Sequence, residues 1–276
     1  MQIAIKDDFS PGKIAASGQC FRAVPLAGGG WRFITGGHLL TIQPTGPGIF
    51  EVSCTPEEWA AVWVPYFDLG RNYAAIRQAI PEGDGWMRRA AAEGQGLRIL
   101  RQDPWETLIT FILSQRKSIP AIRASVELLC AACGRPLVPD GEAGRTVYAF
   151  PTPQALAALS DAALAGCKPG YRAPYLRAAA ARVASGETDL AALARLDDPE
   201  LLTALKGFYG VGEKVARCTA LFGYGRLGLA PVDTWIQKVI AQAYGGRDPF
   251  PGYGPAAGVV QQYAFFYALN HKIELS

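Results

Sequence analysis

Histidine is scarce in this sequence of 276 residues: only His38 and His271 occur. The six cysteines are spread along the chain, at positions 20, 54, 130, 133, 167 and 218. Cys130 and Cys133 have C-x-x-C spacing, but neither a second such pair nor a histidine pair lies nearby. A structural zinc site needs four such ligands at set spacings. The sequence therefore predicts no metal site, and we expect the thiols to be reduced.

Long apolar runs are missing as well. The sequence contains no stretch of about 18 apolar residues that would cross a bilayer. It also lacks, at its start, the charged and apolar regions that make up a secretory signal. We therefore expect a cytoplasmic protein, free or associated with the nucleoid, with no membrane partner.

Charge is limited: 18% of the residues are charged and the formal net charge is +3. This permits a nucleic-acid partner without requiring one, because a local basic face matters more than the total charge. Half of the residues are hydrophobic, which fits a compact enzyme and excludes a disordered chain. A chain of this length approaches the size at which one core divides, so we expect two subdomains.

The N-terminal part of the chain has the pattern of a small antiparallel sheet. Residues 30–35, 39–43 and 48–53 are short segments rich in aromatic and β-branched residues, and Gly or Pro separates them. From about residue 57 onward, signals of helices dominate. The sequence predicts an α+β fold, with an antiparallel sheet domain over residues 1–100 and a mostly helical domain over residues 101–276.

A central helix is predicted after residue 103. Asp103 is a suitable N-cap, Pro104 suits the first helical position, and Glu106 can close a capping box. The residues that follow, 108–113, are too apolar for a surface helix. Asp197 and the residues after it carry similar start signals, which we interpret as scaffold.

The chain is organised around residues 205–216, whose pattern predicts a helix, a glycine turn and a second helix. Gly207, Gly210 and Gly212 allow backbone angles and close approaches that a Cβ would block. The amides of such a turn, together with the positive end of a helix that begins near residue 211, favour a phosphate. This hairpin therefore predicts a site for a phosphate.

Two side chains near the hairpin suggest chemistry. Lys214 falls in the first turn of the second helix, where the dipole disfavours a cation, and a neutral amine is a nucleophile. Nineteen positions further on, Asp233 follows Pro231 and opens the next helix as an N-cap. Taken singly, the hairpin is an ordinary turn, Lys214 is a solvated charge or a phosphate contact, and Asp233 is only a cap.

The joint pattern, G-V-G-x-K-V-A and then P-V-D, resembles the helix-hairpin-helix DNA glycosylase superfamily. It is most similar to the bifunctional 8-oxoguanine DNA glycosylase/AP lyases, which carry both the lysine and the aspartate. The resemblance implies that Lys214 and Asp233 are catalytic, that Gly210 and Gly212 contact DNA, and that no cofactor is required. A monovalent cation at the hairpin carbonyls is a further expectation. The four-cysteine iron–sulfur pattern of some relatives is absent from this sequence.

The resemblance also implies a set of residues that recognise the base. Residues 17–22 are similar to the family's S-G-Q-x-F-R segment, whose glycine carbonyl, here that of Gly18, accepts the N7–H of 8-oxoguanine. Cys218, one turn after Lys214, would stack beneath the base. On a C-terminal helix that we expect to be amphipathic, Gln261 would bond the Watson–Crick edge and Phe265 would cover the face. Gln262 is the alternative to Gln261 if the register slips by one.

Further residues are expected at the DNA. The loop with Arg116 and Lys117 corresponds to the one that fills the gap left by an extruded nucleotide, although the pair also fits a phosphate site or a solvated loop. Relatives that demand an opposite cytosine carry asparagines at 116–118 and an arginine in place of Ala121, so the opposite-base preference stays open. The remaining expected DNA contacts are Tyr171, which also fits a buried tyrosine at a helix start, Arg172, and Trp235, whose indole N–H would replace a phosphate-binding histidine.

The sequence therefore predicts a monomeric enzyme whose partner is double-stranded DNA with a damaged base. Two alternatives are kept. A glycosylase for alkylated bases shares the fold and the aspartate but normally lacks the lysine. A non-catalytic DNA-binding protein would use the hairpin alone.

Overall fold

The computed structural model describes residues 1–137 and 146–271. Residues 138–145 and 272–276 of the predicted helical domain lie outside the described residues. Among the described residues, no helix combines the length and the apolar character that crossing a membrane would take.

The N-terminal sheet has five antiparallel strands in the order β1-β5-β4-β3-β2. The strands are β1 (Gln2–Ala4), β2 (Val24–Pro25), β3 (Trp31–Thr35), β4 (His38–Gly46) and β5 (Ile49–Val52). The three predicted strands are confirmed as β3, β4 and β5. The strands β1 and β2 were not predicted because two or three residues are too few to show a period of two.

Fifteen α-helices occur among the described residues, and most begin at a Ser, Thr, Asp or Asn side chain that accepts a hydrogen bond from a first-turn N–H. They are α1 (Pro11–Ala16), α2 (Pro56–Glu58), α3 (Val64–Tyr66), α4 (Tyr73–Gln78), α5 (Gly85–Glu93), α6 (Pro104–Ser114), α7 (Ile119–Cys133), α8 (Pro153–Ala158), α9 (Asp161–Gly166), α10 (Ala173–Ala184), α11 (Leu190–Leu193), α12 (Asp198–Lys206), α13 (Glu213–Tyr224), α14 (Thr234–Tyr244) and α15 (Ala257–Asn270). A π-helical turn, Trp59–Trp63, joins α2 to α3.

The central helix α6 begins as predicted but not with the predicted capping box. Asp103 accepts a hydrogen bond from the backbone N–H of Glu106 (2.8 Å), and every residue from Trp105 to Ser114 is buried. The Glu106 side chain turns inward instead of back to the cap. Burial raises the pKa of its carboxyl to about 7, against the opposing effect of the nearby Arg22 guanidinium. The capping box occurs at α12 instead, between Asp197 and Glu200.

The buried residues form two clusters that do not divide at residue 100. The sheet cluster joins Phe33 and Leu40 to Trp63, and it extends to Leu100. The helical cluster already includes Tyr73 of α4 and Met87 of α5. Helices from before residue 100 therefore pack with helices from after it. The division into domains 1–100 and 101–276 stays a prediction.

The buried amide of Gln19 fixes the segment around Gly18. Its Oε1 accepts from the backbone N–H of Leu100 (2.8 Å), and its Nε2 donates to the Arg98 carbonyl and to Ser17 Oγ (both 2.8 Å). A buried amide whose bonds are satisfied holds its neighbours in one arrangement. The strand-entering segment is therefore held against the chain that leads into α6.

The C-terminal helix α15 is not amphipathic, contrary to our expectation. Residues 257–264 are all buried, and so are Phe266 and Ala268. The helix packs between α5 and α14 and therefore buries nearly its whole circumference. Polar side chains on such a helix need partners or a cavity.

Candidate active site

The hairpin between α12 and α13 contains three glycines with different backbone requirements. Gly210 has φ +81°, and a Cβ at this position would clash with the Tyr175 ring. Gly207 has helical angles and Gly212 is extended. The expectation of special geometry is therefore confirmed only for Gly210, because the other two conformations are open to any residue.

Gly212 leaves the N–H groups at the start of α13 without a side-chain acceptor. It is the N-cap of α13, and a hydrogen atom as side chain cannot accept a bond from the first-turn N–H groups. A Cβ placed there would meet no atom of the described residues within 4 Å. The start of α13 is thus open to an incoming anion. The carbonyl of Gly210 accepts from Gln115 Nε2 (3.2 Å), which ties the hairpin to the loop after α6.

A cavity of about 890 Å³ lies where α6, α13, α14 and α15 meet the segment around Gly18. It collects nine of the predicted site residues: Gly18, Arg116, Lys117, Lys214, Cys218, Asp233, Trp235, Gln261 and Phe265. Gly210, Gly212, Tyr171 and Arg172 are not in its lining.

Lys214 enters the cavity from the first turn of α13. Its Nζ lies 3.3 Å from Ser114 Oγ, at the end of α6, and 4.9 Å from the centre of the Phe111 ring. The side chain is half-buried. Ser114 was not predicted, and its only signal in the sequence is that it ends the apolar helix directly before the basic loop.

Asp233 is the N-cap of α14, as predicted, and accepts a hydrogen bond from the backbone N–H of Ile236 (2.9 Å). This bond fixes the carboxylate at the cavity wall. Burial raises the pKa of the Cys218 thiol to about 11, while the neighbouring Lys214 lowers it and the Asp233 charge raises it. The amine, the carboxylate and the thiol all line the same cavity.

Gly18 and Phe265 line the cavity next to each other. Gly18 has φ +73°, and a Cβ there would lie 3.1 Å from Phe265 Cε1 and 3.5 Å from Ile119 Cδ1. Both the backbone angle and the close approach of the ring favour glycine. The half-buried Phe265 ring faces the cavity together with Cys218. The two side chains offer apolar surfaces that suit a flat ring.

The two glutamines of α15 differ in their bonding. Gln262 Nε2 donates to the Ser17 carbonyl (2.6 Å), so its amide holds the segment beside Gly18. Gln261 is only 4% exposed, and its Oε1 has no hydrogen-bond partner within the described part of the chain. A buried acceptor without a partner is rare and marks a position where a ligand or water completes the bonding. Gln261 is therefore the one available to a ligand.

The loop after α6 presents one of its two predicted cations. Arg116 is exposed and has φ +49°, an uncommon conformation for a residue with a Cβ. Lys117 turns inward, and its Nζ donates to Ser125 Oγ and to the Lys168 carbonyl (both 2.6 Å). Burial and then the nearby Arg172 lower the pKa of Lys117. Arg116 is thus free to reach a partner, whereas Lys117 fastens the loop to α7.

An aromatic strip of Tyr171, Tyr175 and Tyr209 runs beside the hairpin. Tyr175 meets the other two rings edge to face, at centroid distances of 6.1 and 4.8 Å, and both outer rings are more than half exposed. The alternative of a buried Tyr171 is therefore wrong. Arg172 is buried under the Tyr171 ring (4.2 Å) and donates to the Pro169 carbonyl, so it supports the ring from within. Sequence reasoning missed Tyr209, although it directly precedes Gly210.

Trp235 lies on the first turn of α14 at the edge of the cavity, and Lys238 Nζ sits 4.9 Å from the centre of its ring. A cation one turn further along the helix therefore accompanies the indole. Over residues 1–137 and 146–271, no group of three or more His, Cys, Asp or Glu side chains is placed to hold a metal ion.

Two family models match the chain. Residues 2–108 match the model of the 8-oxoguanine DNA glycosylase N-terminal domain. Residues 109–252 match the model of the HhH-GPD superfamily base excision DNA repair protein. The second match alone covers more than half of the 276 residues, and the two meet inside α6.

A curated relative from Methanothermobacter thermautotrophicus carries the name "Probable N-glycosylase/DNA lyase". It is 29% identical over 203 residues, which make up 63% of this chain and 64% of that protein. An N-glycosylase/DNA lyase of Saccharomyces cerevisiae is 33% identical over 162 residues, or 54% of this chain and 42% of that protein. The chain thus spans less than two thirds of the length of these curated relatives.

Among solved structures, MBOgg1 in complex with a low-affinity DNA ligand is 32% identical, with a TM-score of 0.92 over 98% of this chain and 96% of that one. The 8-oxoguanine glycosylase/lyase of Clostridium acetobutylicum, bound to double-stranded DNA with cytosine opposite 8-oxoG, is 31% identical, with a TM-score of 0.88 over 99% of this chain and 98% of that one. With the family matches and the shared fold, these similarities show that the chain belongs to the 8-oxoguanine DNA glycosylases of the HhH-GPD superfamily of base excision DNA repair proteins.

Proposed function

We propose that the protein is a bifunctional DNA glycosylase/AP lyase that removes 8-oxoguanine from double-stranded DNA. The observation that carries this proposal is that one cavity collects an amine, a carboxylate and a place for a flat base. Lys214 and Asp233 line it together with Gly18, Gln261 and Phe265. The damaged nucleotide would be turned out of the duplex, at a cost of a few kcal/mol that stacking and polar contacts offset.

The first chemical step is a displacement at the sugar. The lone pair of the neutral Lys214 amine forms a bond to C1′, the glycosidic bond breaks, and the base leaves with the bonding electrons. Asp233 stabilises the positive charge that develops on the sugar and takes part in deprotonating the attacking amine. Opening of the sugar ring then gives an iminium, or Schiff-base, link between the enzyme and the DNA.

The second step cleaves the strand. The iminium acidifies the C2′ proton. When a base such as the Asp233 carboxylate takes this proton, the C2′–H electron pair forms a C2′–C3′ double bond, the C3′–O bond breaks, and the 3′ phosphate leaves with the electrons of that bond. No oxidant or reductant enters these steps, so they need no cofactor. The monovalent cation expected at the hairpin stays a prediction; the Gly210 carbonyl already accepts a hydrogen bond from Gln115.

The DNA would lie across the hairpin, the loop with Arg116 and the exposed rings of the aromatic strip. The open start of α13 suits a backbone phosphate, and Tyr171 and Tyr209 offer exposed rings for stacking. We propose that the protein acts on DNA as a monomer, because one chain supplies the amine, the carboxylate and the residues expected to contact the base.

Borohydride trapping tests the proposal. On a duplex with one 8-oxoguanine opposite cytosine, borohydride is expected to reduce the iminium and leave a covalent protein–DNA adduct. A duplex with a methylated purine at the same position serves as the comparison for the alkylated-base alternative, and a plain abasic site isolates the lyase step. An adduct only at the abasic site would keep the lysine chemistry and overturn the assignment of the lesion. Absence of an adduct on all three duplexes would overturn the bifunctional mechanism.

Gln261→Ala is expected to slow excision of 8-oxoguanine about 5- to 150-fold, the effect of losing roughly 1–3 kcal/mol of hydrogen bonding to the base edge. Trapping at a plain abasic site should not change, because no base is left to recognise. Gln262→Ala is the matched comparison, and it should lower thermal stability by leaving the Ser17 carbonyl without its donor. An equal loss on abasic DNA would instead make Gln261 a structural residue.

A further inference from the structure

The hydroxyl of Ser114 lies between the end of α6 and the Lys214 amine. Ser114 is the last residue of α6 and is 9% exposed. Its Oγ is 2.8 Å from the Phe111 carbonyl and 3.3 Å from Lys214 Nζ. The contact with Phe111 decides which atom is the donor in the contact with Lys214.

A serine hydroxyl has one proton to donate and two lone pairs that accept. The Phe111 carbonyl can only accept, so it takes the Ser114 proton. Towards Lys214 the oxygen is consequently left as an acceptor. The amine must donate an N–H to it, whatever its own protonation state.

Two other side chains lie around the Lys214 amine. Cys218, one turn along α13, lines the same cavity. The Phe111 ring face lies 4.9 Å from Nζ. A neutral amine has two N–H groups and one lone pair. If Ser114 receives one N–H and the face of the Phe111 ring receives the other, the lone pair points away from both, into the open cavity.

We propose that Ser114 is a positioning residue that orients the lone pair of the Lys214 amine towards the sugar. The inference rests on the proposed function, because it assumes that Lys214 is the nucleophile. Ser114 would act through Lys214 and not by touching the DNA. It should therefore affect the rate of bond formation at C1′ and leave DNA affinity unchanged, since orientation of reacting groups contributes to the barrier and not to ground-state binding.

Ser114→Ala and Ser114→Thr separate the hydroxyl from the rest of the side chain. The assay is single-turnover borohydride trapping on a duplex with a preformed abasic site, at saturating enzyme, so that base recognition plays no part. Ser114→Ala is expected to slow trapping roughly three- to tenfold, the fold-change that loss of one hydrogen bond gives. Ser114→Thr keeps the acceptor and should restore the rate to within about twofold, with the dissociation constant for the abasic duplex unchanged in both variants.

Thr110→Val is the matched control. Thr110 lies one turn earlier in α6, is buried, and donates its hydroxyl to the Thr107 carbonyl (3.1 Å), but it does not line the cavity. The variant removes the same kind of helix hydrogen bond without touching Lys214, so its trapping rate should match that of the intact protein. Equal slowing in Thr110→Val and Ser114→Ala would reduce Ser114 to a structural residue.

The outcomes also separate this inference from the proposed function. If the intact protein traps abasic DNA and Ser114→Ala traps it at the same rate, the positioning role is wrong and the proposed function stands. If Ser114→Thr is as slow as Ser114→Ala while both melt at the temperature of the intact protein, the hydroxyl is not what matters and the inference is also overturned. If the intact protein forms no adduct, the proposed function fails first.

Discussion

Lys214→Gln is expected to abolish both the trapped adduct and strand cleavage, with a loss of at least about 10³-fold in each rate. A glutamine amide has no basic lone pair and cannot form an iminium, so no alternative route through this side chain remains. The fold should be unaffected, because the amine makes one hydrogen bond, to Ser114, and partial exposure weakens its other contacts. Gel analysis of borohydride-treated reactions measures the loss directly.

Lys206→Gln is the matched control for this substitution. Lys206 ends α12 on the other side of the hairpin, is exposed, and pairs with Glu213 (3.1 Å) without lining the cavity. Removing its charge should leave the adduct intact. If Lys214→Gln still formed a full yield of adduct, another amine would be the nucleophile, and the role given to Lys214 would have to be withdrawn.

Asp233→Asn is expected to slow excision of 8-oxoguanine by about 10²- to 10³-fold while DNA binding persists. Loss of a preorganised group that stabilises transition-state charge has effects of this size. Asparagine caps helices about as well as aspartate, so α14 should still begin at residue 233 and thermal stability should change little. Single-turnover excision, with binding measured separately on the same duplex, gives the two quantities.

Asp197→Asn makes the same change at the N-cap of α12, outside the cavity lining, and should leave excision unaltered. The comparison also addresses the non-catalytic alternative. A protein that only bound DNA through the hairpin would show no excision for Asp233→Asn to remove. An Asp233→Asn variant as fast as the intact protein would show that the carboxylate serves α14 and not the reaction.

Sequence reasoning succeeded where a few neighbouring residues determine the structure. The strands β3 to β5 follow from short segments rich in aromatic and β-branched residues that Gly or Pro separates. Asp103 and Asp233 cap helices through bonds to residues three positions on. Lys214 falls in a first turn because Gly212 ends the hairpin. Each of these features depends on contacts within a few residues, which local patterns describe well.

Sequence reasoning failed where residues distant in the sequence determine the burial or direction of a side chain. Glu106 leaves its cap because burial beside Arg22, far away in the sequence, provides another environment. The helix α15 is buried on nearly all sides by elements that its own sequence does not specify. Lys117 turns inward to meet the Lys168 carbonyl. The direction of a long side chain depends on tertiary packing. Arg116 and Lys117 are neighbours in the sequence, but in the fold Arg116 is exposed and Lys117 bonds to Ser125 and Lys168.

The buried thiol of Cys218 in the cavity wall should resist oxidation. Oxidants such as peroxide attack the thiolate and not the thiol. Burial raises the pKa of the Cys218 thiol to about 11, so the thiol form predominates near neutral pH. The sulfur therefore offers a soft, polarisable surface for stacking while resisting conversion to sulfenic acid. Under the proposed function, the pocket would stay chemically intact in the oxidising conditions that produce 8-oxoguanine.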